Sequence, residues 1–484
     1  MDDELRHRLA RALTPSLYVA LIAAVTTTLI TWRYGKDRSG LDFYQQPWAV
    51  TFVLRHAPEA NPWDESARER MGRRLLDDVG GGSKALIPKG KERQYRAAMA
   101  AHPPERQKVA VAGTPFFFAV MSPWSLTSFD TAGRAYLALL FASLAASLLL
   151  LGRLAGLGVP ASLVLYAVVI ACFEPFRSEL RVWNVNCLLL AIAAWALWQL
   201  DRGRIVGAGA TLACGVLFKP TLGATAVTVV IAMVAARRWR SLAQLATGAA
   251  IGSIAAFLLG CYWAGRWDAW SSFLQSLGQL SNDAYAMAGG NVSVGRWLLE
   301  RTGSAQTGFL SFMGVLLVAF FARAVARSRL DSANFNHHHA AAVGLGAILP
   351  LLTAPLAWLH YYVLLLLPAV LLLRPPAAFG SRSGAALVLP ALGAVSLLIC
   401  CAWPVWIPIP VEAALAKPFT VNVAAALLAV GMVTLAGVPA AARSATTLPA
   451  TDASNAEPTG ARTVTSSRRR RDPSLSRAQR ARRA

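Results

Sequence analysis

Long apolar runs recur along the whole chain and alternate with short polar segments. Many runs continue for about 17 to 22 residues without a charged side chain, which as a helix is enough to cross about 30 Å of hydrocarbon. Backbone groups in lipid need internal partners, and the short alternating strands of a barrel are absent from the sequence. The pattern predicts about twelve transmembrane helices, at residues 15–32, 131–152, 158–175, 184–200, 205–218, 221–236, 243–263, 306–325, 340–358, 359–373, 384–403 and 420–438.

The connecting segments differ in charge. Arginines concentrate in one set of short loops, at 153, 201–204, 237–240, 323–329 and 374–382. Because cytoplasmic loops carry an excess of basic residues, these loops and both termini are predicted to be cytoplasmic. The opposite, outer side then carries two long loops, residues 33–130 and 264–305. The helices at 205–218 and 221–236 are short, and a hairpin that does not cross fully is an alternative for them.

Residues 1–438 are predicted to form one membrane domain, and residues 439–484 a disordered, basic cytoplasmic tail. Four consecutive arginines, Arg468 to Arg471, lie in this tail. Attraction to anionic lipid and simple solvation are both compatible with them. The first apolar run follows several arginines, as in a secretion signal, but no convincing cleavage site follows it, which favours an uncleaved helix.

Composition supports a membrane protein and argues against a nucleic-acid-binding one. Of the 484 residues, 55% are hydrophobic and 15% are charged, and the mean hydropathy is +0.45. The net charge of +22 comes from lysines and arginines in loops and in the tail, so membrane topology accounts for most of it. The six cysteines show no metal-binding or redox spacing and are interpreted as packing residues.

Several polar residues next to apolar runs fall on the predicted outer side. Lys219 lies between Phe218 and Pro220, so its ammonium needs water, an anion or a phosphate; a snorkelling lysine is an equal alternative. His360 adjoins aromatic residues, and an aromatic belt is the alternative there. Asp42, taken alone, is better interpreted as a solvated loop aspartate. Convergence of polar residues from distant segments would favour a site. The residues on this side are Asp37, Asp42, Glu174, Arg177, Glu179, Arg181, Asn184, Asn186, Lys219, Asn291, Ser293 and His360.

Short motifs occur in a fixed order along the chain. They are Gly40-Leu41-Asp42-Phe43, Asn61-Pro62-Trp63-Asp64, Trp183-Asn184-Val185-Asn186, Asp201-Arg202-Gly203-Arg204, Phe218-Lys219-Pro220-Thr221, Gly290-Asn291-Val292-Ser293 and His360-Tyr361-Tyr362. In order and spacing this set resembles glycosyltransferase family 87, a bacterial family of polyprenyl-phosphate-dependent mannosyltransferases with the membrane-embedded GT-C fold. Three motifs depart from the family pattern, and the departures bear on the sugar and the acceptor more than on the fold. Trp183-Asn184 replaces Gly-Gln, Gly113-Thr114-Pro115 replaces Tyr-Pro-Pro, and Asn291-Val292-Ser293 replaces Asn-Gln-Ser.

The resemblance implies an all-α integral membrane protein, a GT-C-like bundle of about twelve helices with a small outer-face loop domain. It implies transfer of a sugar, mannose in the family, from a polyprenyl-phosphate donor to a hydroxyl of a lipid-linked or envelope glycan acceptor. The transfer would invert the anomeric carbon at the outer face of a bacterial cytoplasmic membrane. Asp42 is the candidate general base, with Asp37 as the alternative. The donor phosphate and sugar would be bound by Lys219, His360, Arg177, Arg181, Asn184, Asn186 and Asn291.

Neither a metal ion nor another cofactor is expected. A lipid monophosphate develops less charge on leaving than a nucleotide diphosphate, and no Asp-x-Asp pair lies near a nucleotide-binding region. The expected partners are the lipid-linked donor, the acceptor and membrane lipid, without nucleic acid. A transporter or flippase of a lipid-linked substrate is the main alternative function, although ionisable residues here gather toward one face. A non-catalytic scaffold for cell-envelope enzymes is a third possible function.

Overall fold

The regular structure of the chain is helical in every part that the computed structural model describes. The described residues are 3–36, 41–43, 47–56, 61–64, 66–71, 113–127, 129–280, 291–304, 306–328, 335–354, 356–375, 384–402 and 416–438. Within them the only extended pairing is an isolated antiparallel bridge between Asn291 and Trp358. The predicted all-α class is confirmed. Asp37 and the predicted tail at 439–484 lie outside the described residues.

The principal helices follow one another along the chain. They are α1 (Asp3–Lys36), α2 (Ala49–His56), α3 (Pro115–Met121), α4 (Phe129–Ala155), α5 (Val159–Cys172), α6 (Glu174–Val182), α7 (Asn186–Asp201), α8 (Ile205–Phe218), α9 (Gly223–Ala235), α10 (Trp239–Ala264), α11 (Ala269–Leu280), α12 (Val294–Thr302), α13 (Thr307–Ser328), α14 (Phe335–Thr353), α15 (Leu366–Leu372), α16 (Ala385–Ala402) and α17 (Ala416–Gly437). Short helical segments at Leu41–Phe43, Ser122–Leu126, Pro220–Leu222 and Leu359–Leu365 connect some of them.

Five of the described helices are long and apolar enough to cross a membrane, and a sixth candidate is the bent pair α5 and α6. The five stretches are Pro15–Lys36, Thr131–Ala155, Trp239–Ala264, Thr307–Ser328 and Thr420–Gly437. Other predicted spans coincide with apolar helices that are shorter: α8 has 14 residues, or about 21 Å at 1.5 Å per residue, less than the hydrocarbon thickness. The described residues therefore contain five or six helices suited to cross a membrane, whereas the predicted number of twelve is not confirmed.

Two predicted spans have different boundaries in the structure. The span predicted at 158–175 ends at Cys172, and the predicted link at 176–183 belongs to a second helix, α6, bent by 64° from α5. Pro175 explains the break, because proline suits the first turn of a new helix and lacks the amide that would continue the old one. The span predicted at 340–358 ends at Thr353, since the sequence continues with Ala354-Pro355 and helices usually end at or before the residue that precedes a proline.

The segment at 359–373 begins with a 3-10 turn rather than as a continuous α-helix. Leu359–Leu365 forms this turn, and α15 follows it. Nearly all of the side chains in both elements are buried, including His360 and Tyr362. The turn packs against α6 and α7, while α15 packs against α4 and α16. These contacts place His360 beside the residues that connect α6 to α7.

Helices α8 and α10 pack at backbone distance along a row of glycines. A Cβ atom added at Gly248 on α10 would lie 1.9 Å from the carbonyl oxygen of Val206 on α8. A Cβ at Gly209 on α8 would lie 2.2 Å from the carbonyl oxygen of Leu245. Small residues allow such close approach in membrane helix pairs, where packing rather than water exclusion drives association. Alanine does not fit at either position without moving a helix backbone.

We expect Gly248→Ala to lower the free energy of unfolding by about 2 kcal/mol, because the new methyl group meets backbone atoms that no rotamer change can move. Thermal unfolding of the purified protein in one detergent would measure the loss. Gly308→Ala is the matched control, since nothing lies within 4 Å of its added Cβ, and it should leave stability unchanged or slightly raised. Equal melting temperatures for the Gly248 variant and wild type would contradict this packing.

Candidate functional site

Asp42 is positioned by the residue that follows it. Phe43 is fully buried, and its ring stacks on Tyr136 of α4 with centroids 4.3 Å apart. The same ring also contacts Trp183, at 6.1 Å between centroids. Such aromatic pairs hold a short segment more firmly than its three helical residues could by themselves. Asp42 keeps 27% of its side chain exposed, so its carboxylate is accessible while its backbone is anchored.

Asn184 follows a turn with a left-handed residue at the end of α6. Trp183 caps this helix with φ of 55°, an uncommon conformation for a bulky side chain. The conformation is stabilised by a hydrogen bond that the Trp183 indole donates to the Gly35 carbonyl at 3.2 Å, and by stacking on Phe129. Tyr136 donates its hydroxyl to the Asn184 carbonyl at 2.8 Å. These contacts fix the backbone position of Asn184, from which its side chain extends.

The Asn184 carboxamide joins Asp42 to Lys219. Its Nδ2 donates to Asp42 Oδ2 at 2.6 Å, and its Oδ1 accepts from Lys219 Nζ at 2.9 Å. Lys219 caps the end of α8 in an extended conformation that precedes Pro220, as the steric demand of a following proline favours. Its ammonium also lies 4.6 Å from the centroid of the Tyr361 ring, a cation–π distance. Residues 142 and 35 positions apart in sequence thus form one chain of contacts.

His360 also lies next to Asp42 in this cluster. Its Nε2 lies 3.7 Å from Asp42 Oδ2, too far for a hydrogen bond, and finds no hydrogen-bond partner among the residues that the structure describes, although His360 is only 5% exposed. The ring lies parallel to Trp358 and edge-on to Tyr361. A buried nitrogen without a partner costs free energy unless a ligand or a water molecule completes it. His360 therefore offers a polar atom to whatever enters beside Asp42.

Burial and charge act in opposite directions on the two charged groups at this site. Burial raises the pKa of Asp42, and the hydrogen bond from Asn184 and the charge of Lys219 counteract that rise. Burial lowers the pKa of Lys219, and the negative charges of Glu179 and Asp42 oppose the change. Each group thus supports the ionised form of the other. The pair presents a carboxylate that can accept a proton beside an ammonium that can hold an anion.

Asn186 and Glu179 lie behind Asn184. Asn186 Nδ2 donates to Glu179 Oε2 at 2.8 Å and lies 3.3 Å from Asn184 Oδ1. Its backbone amide donates to Glu179 Oε1, also at 2.8 Å. Both residues were among the polar residues predicted on the outer side, but only Asn186 was predicted to bind the donor. The available signal was weak: Glu179 lies in the polar segment that also contains the asparagine motif.

Arg177 and Arg181 belong to a neighbouring cluster on α6. Arg181 donates to Glu174 at 2.8 Å and to the Tyr34 hydroxyl at 3.3 Å, and it is about half exposed. The Arg177 guanidinium lies 6.0 Å from the centroid of the Tyr34 ring. Both arginines therefore contact Tyr34, which lies near the end of α1. A role of either arginine in donor binding stays a prediction.

Asn291 connects the segment before α12 to the segment before the 3-10 turn. Its Oδ1 accepts backbone amides from Ser293 and Ala357, each at 3.0 Å, and the residue is 1% exposed. Val292 donates its amide to the Ala357 carbonyl at 2.8 Å. These contacts bind Asn291 to Ala357, which precedes His360 by three residues in the sequence. Sugar binding by Asn291 stays a prediction, and its described contacts are those of a structural clip.

Metal ligands do not gather at this site within the described residues, where no three His, Cys, Asp or Glu side chains are placed to share an ion. The groups that converge are Asp42, Asn184, Lys219 and His360, with Asn186 and Glu179 behind them. Together they provide a carboxylate that can accept a proton and hydrogen-bond donors that can bind an anion, in a partly buried site. Such a combination suits the transfer of a group that leaves as an anion to a nucleophile that must lose a proton.

The family model of glycosyltransferase family 87 matches residues 113–355, half of the chain. The chain belongs to glycosyltransferase family 87. The predicted resemblance is confirmed, and the protein is a glycosyltransferase with several helices suited to a membrane. Neither a curated protein nor a solved structure matches the chain. The family 87 match contains Asn184, Asn186, Lys219 and Asn291, whereas Asp42 and His360 lie outside it on either side.

The Asn291 clip predicts a stability effect that is separable from substrate binding. Asn291→Ala leaves two buried amides without an acceptor, at a cost of about 1 to 3 kcal/mol each, and thermal unfolding should report the loss. Asn291→Asp keeps the accepting oxygen and should retain most of the stability. If both variants melt like wild type, the clip contributes nothing, and a direct role in ligand binding becomes the better account of Asn291.

Proposed function

We propose that this family 87 glycosyltransferase transfers mannose from a polyprenyl-phosphate donor to a hydroxyl of a lipid-linked or envelope glycan acceptor. The site would face the outer side of a bacterial cytoplasmic membrane, and the anomeric carbon would be inverted. The observation that carries the proposal is the bridge from Asp42 through Asn184 to Lys219, at 2.6 and 2.9 Å. It places a candidate base and a candidate phosphate ligand in one cluster, on segments that are distant in sequence.

Asp42 is the proposed general base. Inversion in a single displacement requires the acceptor hydroxyl to attack from the side opposite the leaving phosphate, and a base to remove its proton as the new bond forms. A carboxylate with a raised pKa is a stronger base than a free one, yet the Asn184 hydrogen bond and the Lys219 charge favour its ionised form. Asp42 is also partly exposed, so a hydroxyl can reach it.

Lys219 and His360 are the proposed ligands of the leaving phosphate. As the sugar–oxygen bond breaks, negative charge grows on the phosphate, and a fixed ammonium in a water-poor site stabilises it strongly. The unpartnered Nε2 of His360 can donate a further hydrogen bond in the tautomer that carries the proton there. Because the leaving group is a monophosphate, these donors can supply the stabilisation, and we propose that no metal ion is required.

Asp42→Asn should reduce sugar transfer by at least about 100-fold, since general-base catalysis contributes about 10²- to 10⁴-fold. Purified full-length protein in lipid would be given radiolabelled polyprenyl-phosphomannose and a crude lipid and glycan extract, with and without a chelator. Asp268→Asn is the control, an exposed aspartate paired with Arg266 away from the cluster. If neither wild type nor variant transfers the sugar, the proposed donor is wrong. If chelation abolishes activity and a divalent ion restores it, the proposed independence of metal is wrong.

The acid side of the activity profile should move to higher pH in Asn184→Ala. The base is active above the pKa of Asp42 and is lost as pH falls through it; without the Asn184 hydrogen bond that lowers this pKa, protonation begins at higher pH. The measurement is kcat/KM for the transfer between about pH 4 and pH 8, compared with Gln244→Ala, which removes an exposed carboxamide on α10. An unchanged or lowered midpoint would contradict the role of Asn184.

A further inference from the structure

Glu179 is a fully buried carboxylate for which the proposed transfer chemistry has no use. It lies on α6 with 0% exposure, and both of its oxygens accept hydrogen bonds from Asn186, one from the backbone amide and one from the carboxamide. A buried carboxylate is costly unless hydrogen bonds and an opposite charge compensate it. Two carboxamides connect Glu179 to the nearby ammonium: Asn186 Nδ2 lies between Glu179 Oε2 and Asn184 Oδ1, and Asn184 Oδ1 accepts from Lys219 Nζ. The positive charge of Lys219 thereby compensates Glu179, and Asp42 is the nearby like charge. Glu179 is therefore coupled to both ionised groups of the site without being accessible to substrate.

The hydrogen bonds define a direction from Glu179 to Asp42. An ionised carboxylate only accepts, so the Asn186 NH2 group must face Glu179 and, with its second proton, Asn184 Oδ1. Asn184 Oδ1 receives the Val185 amide and Lys219 Nζ as well. With three donors on the oxygen, the Asn184 NH2 group is directed to Asp42. A flipped Asn184 carboxamide would place its oxygen against the Asp42 carboxylate and its NH2 group against the lysine.

We propose that Glu179 is the positioning residue of this site: it fixes the Asn186 and Asn184 carboxamides, and it is the buried counter-ion of Lys219. The inference rests on the proposed function only for its catalytic consequence. With Glu179 in place, Asp42 keeps its hydrogen-bond donor, and a negative charge on Glu179 favours the charged form of Lys219. Glutamine does not preserve the arrangement, since one end of its amide would donate toward an Asn186 donor. Turning the Asn186 carboxamide to accept that bond would remove the donor from Asn184 Oδ1.

The first test reads the charge of Lys219 and needs no substrate. Purified full-length protein is acylated briefly with acetic anhydride over a range of pH, and mass spectrometry gives the extent of modification at Lys219. Loss of the negative charge in Glu179→Gln should move the midpoint of Lys219 acylation to lower pH by about one unit. A merely loosened site would expose the lysine and move the midpoint the other way, toward about 10.4.

Glu174→Gln is the matched control for this measurement. Glu174 is a second buried carboxylate on α6, but it pairs with Arg181 and is not among the charges that act on Lys219. Its variant should leave the Lys219 midpoint in place. An unchanged or raised midpoint in Glu179→Gln would overturn the counter-ion role, whatever donor sugar the enzyme uses.

The second test asks whether Glu179 acts through Asn184. We expect Glu179→Gln to lower kcat for transfer by about 100-fold, and to add much less in a protein that already carries Asn184→Ala. Additive losses would overturn the relay through the two asparagines. If wild type transfers nothing from polyprenyl-phosphomannose, the proposed donor has failed, and the Lys219 midpoint still decides the counter-ion role of Glu179.

Discussion

The cost of holding charge in an apolar helical bundle governs this structure. Asp42, Glu179 and Lys219 would each be unstable as isolated ions in such surroundings, and each is tolerated because the others and two asparagine carboxamides are close. The Asn184 carboxamide is the central element, since a neutral group that donates on one side and accepts on the other can join a carboxylate to an ammonium. Removing any member leaves a buried charge or a buried polar group without compensation.

Breaks in helices make this arrangement possible. Asn184 follows the end of α6, Lys219 lies between α8 and a 3-10 turn, and His360 lies in the 3-10 turn before α15. Interrupted helices are acceptable at membrane depth only where protein or a polar cavity satisfies the freed backbone groups. Here Tyr136 donates to the Asn184 carbonyl, and the Asn291 side chain accepts the Ala357 amide. The polar side chains that satisfy the freed backbone groups therefore also fix the position of the site.

Some parts of this picture could be predicted from the sequence, and others depend on contacts that it does not encode locally. Apolar run length indicated a helical membrane protein, and the ordered motifs indicated family 87 and the residues Asp42, Asn184, Lys219 and His360. The number of full spans could not be predicted, because a 14-residue apolar helix and a longer one look alike when their ends are uncertain. Glu179 was predicted only as one of several polar residues on the outer side and not as a site residue. Its burial arises from packing of α6 against the 3-10 turn, which the polar sequence around it does not indicate.

The glycine contact between α8 and α10 has a mechanical consequence. With backbone against backbone at Gly209 and Gly248, α8 has little freedom to turn or slide independently of α10. Helix α10 is among the longest apolar helices described, so α8 is held against one of the largest elements of the fold. Lys219 directly follows α8, and the backbone that carries its ammonium is therefore held in place by α10 as well. A displacement of α10 would change the distance between Lys219 and Asp42, although α10 contributes no side chain to the cluster.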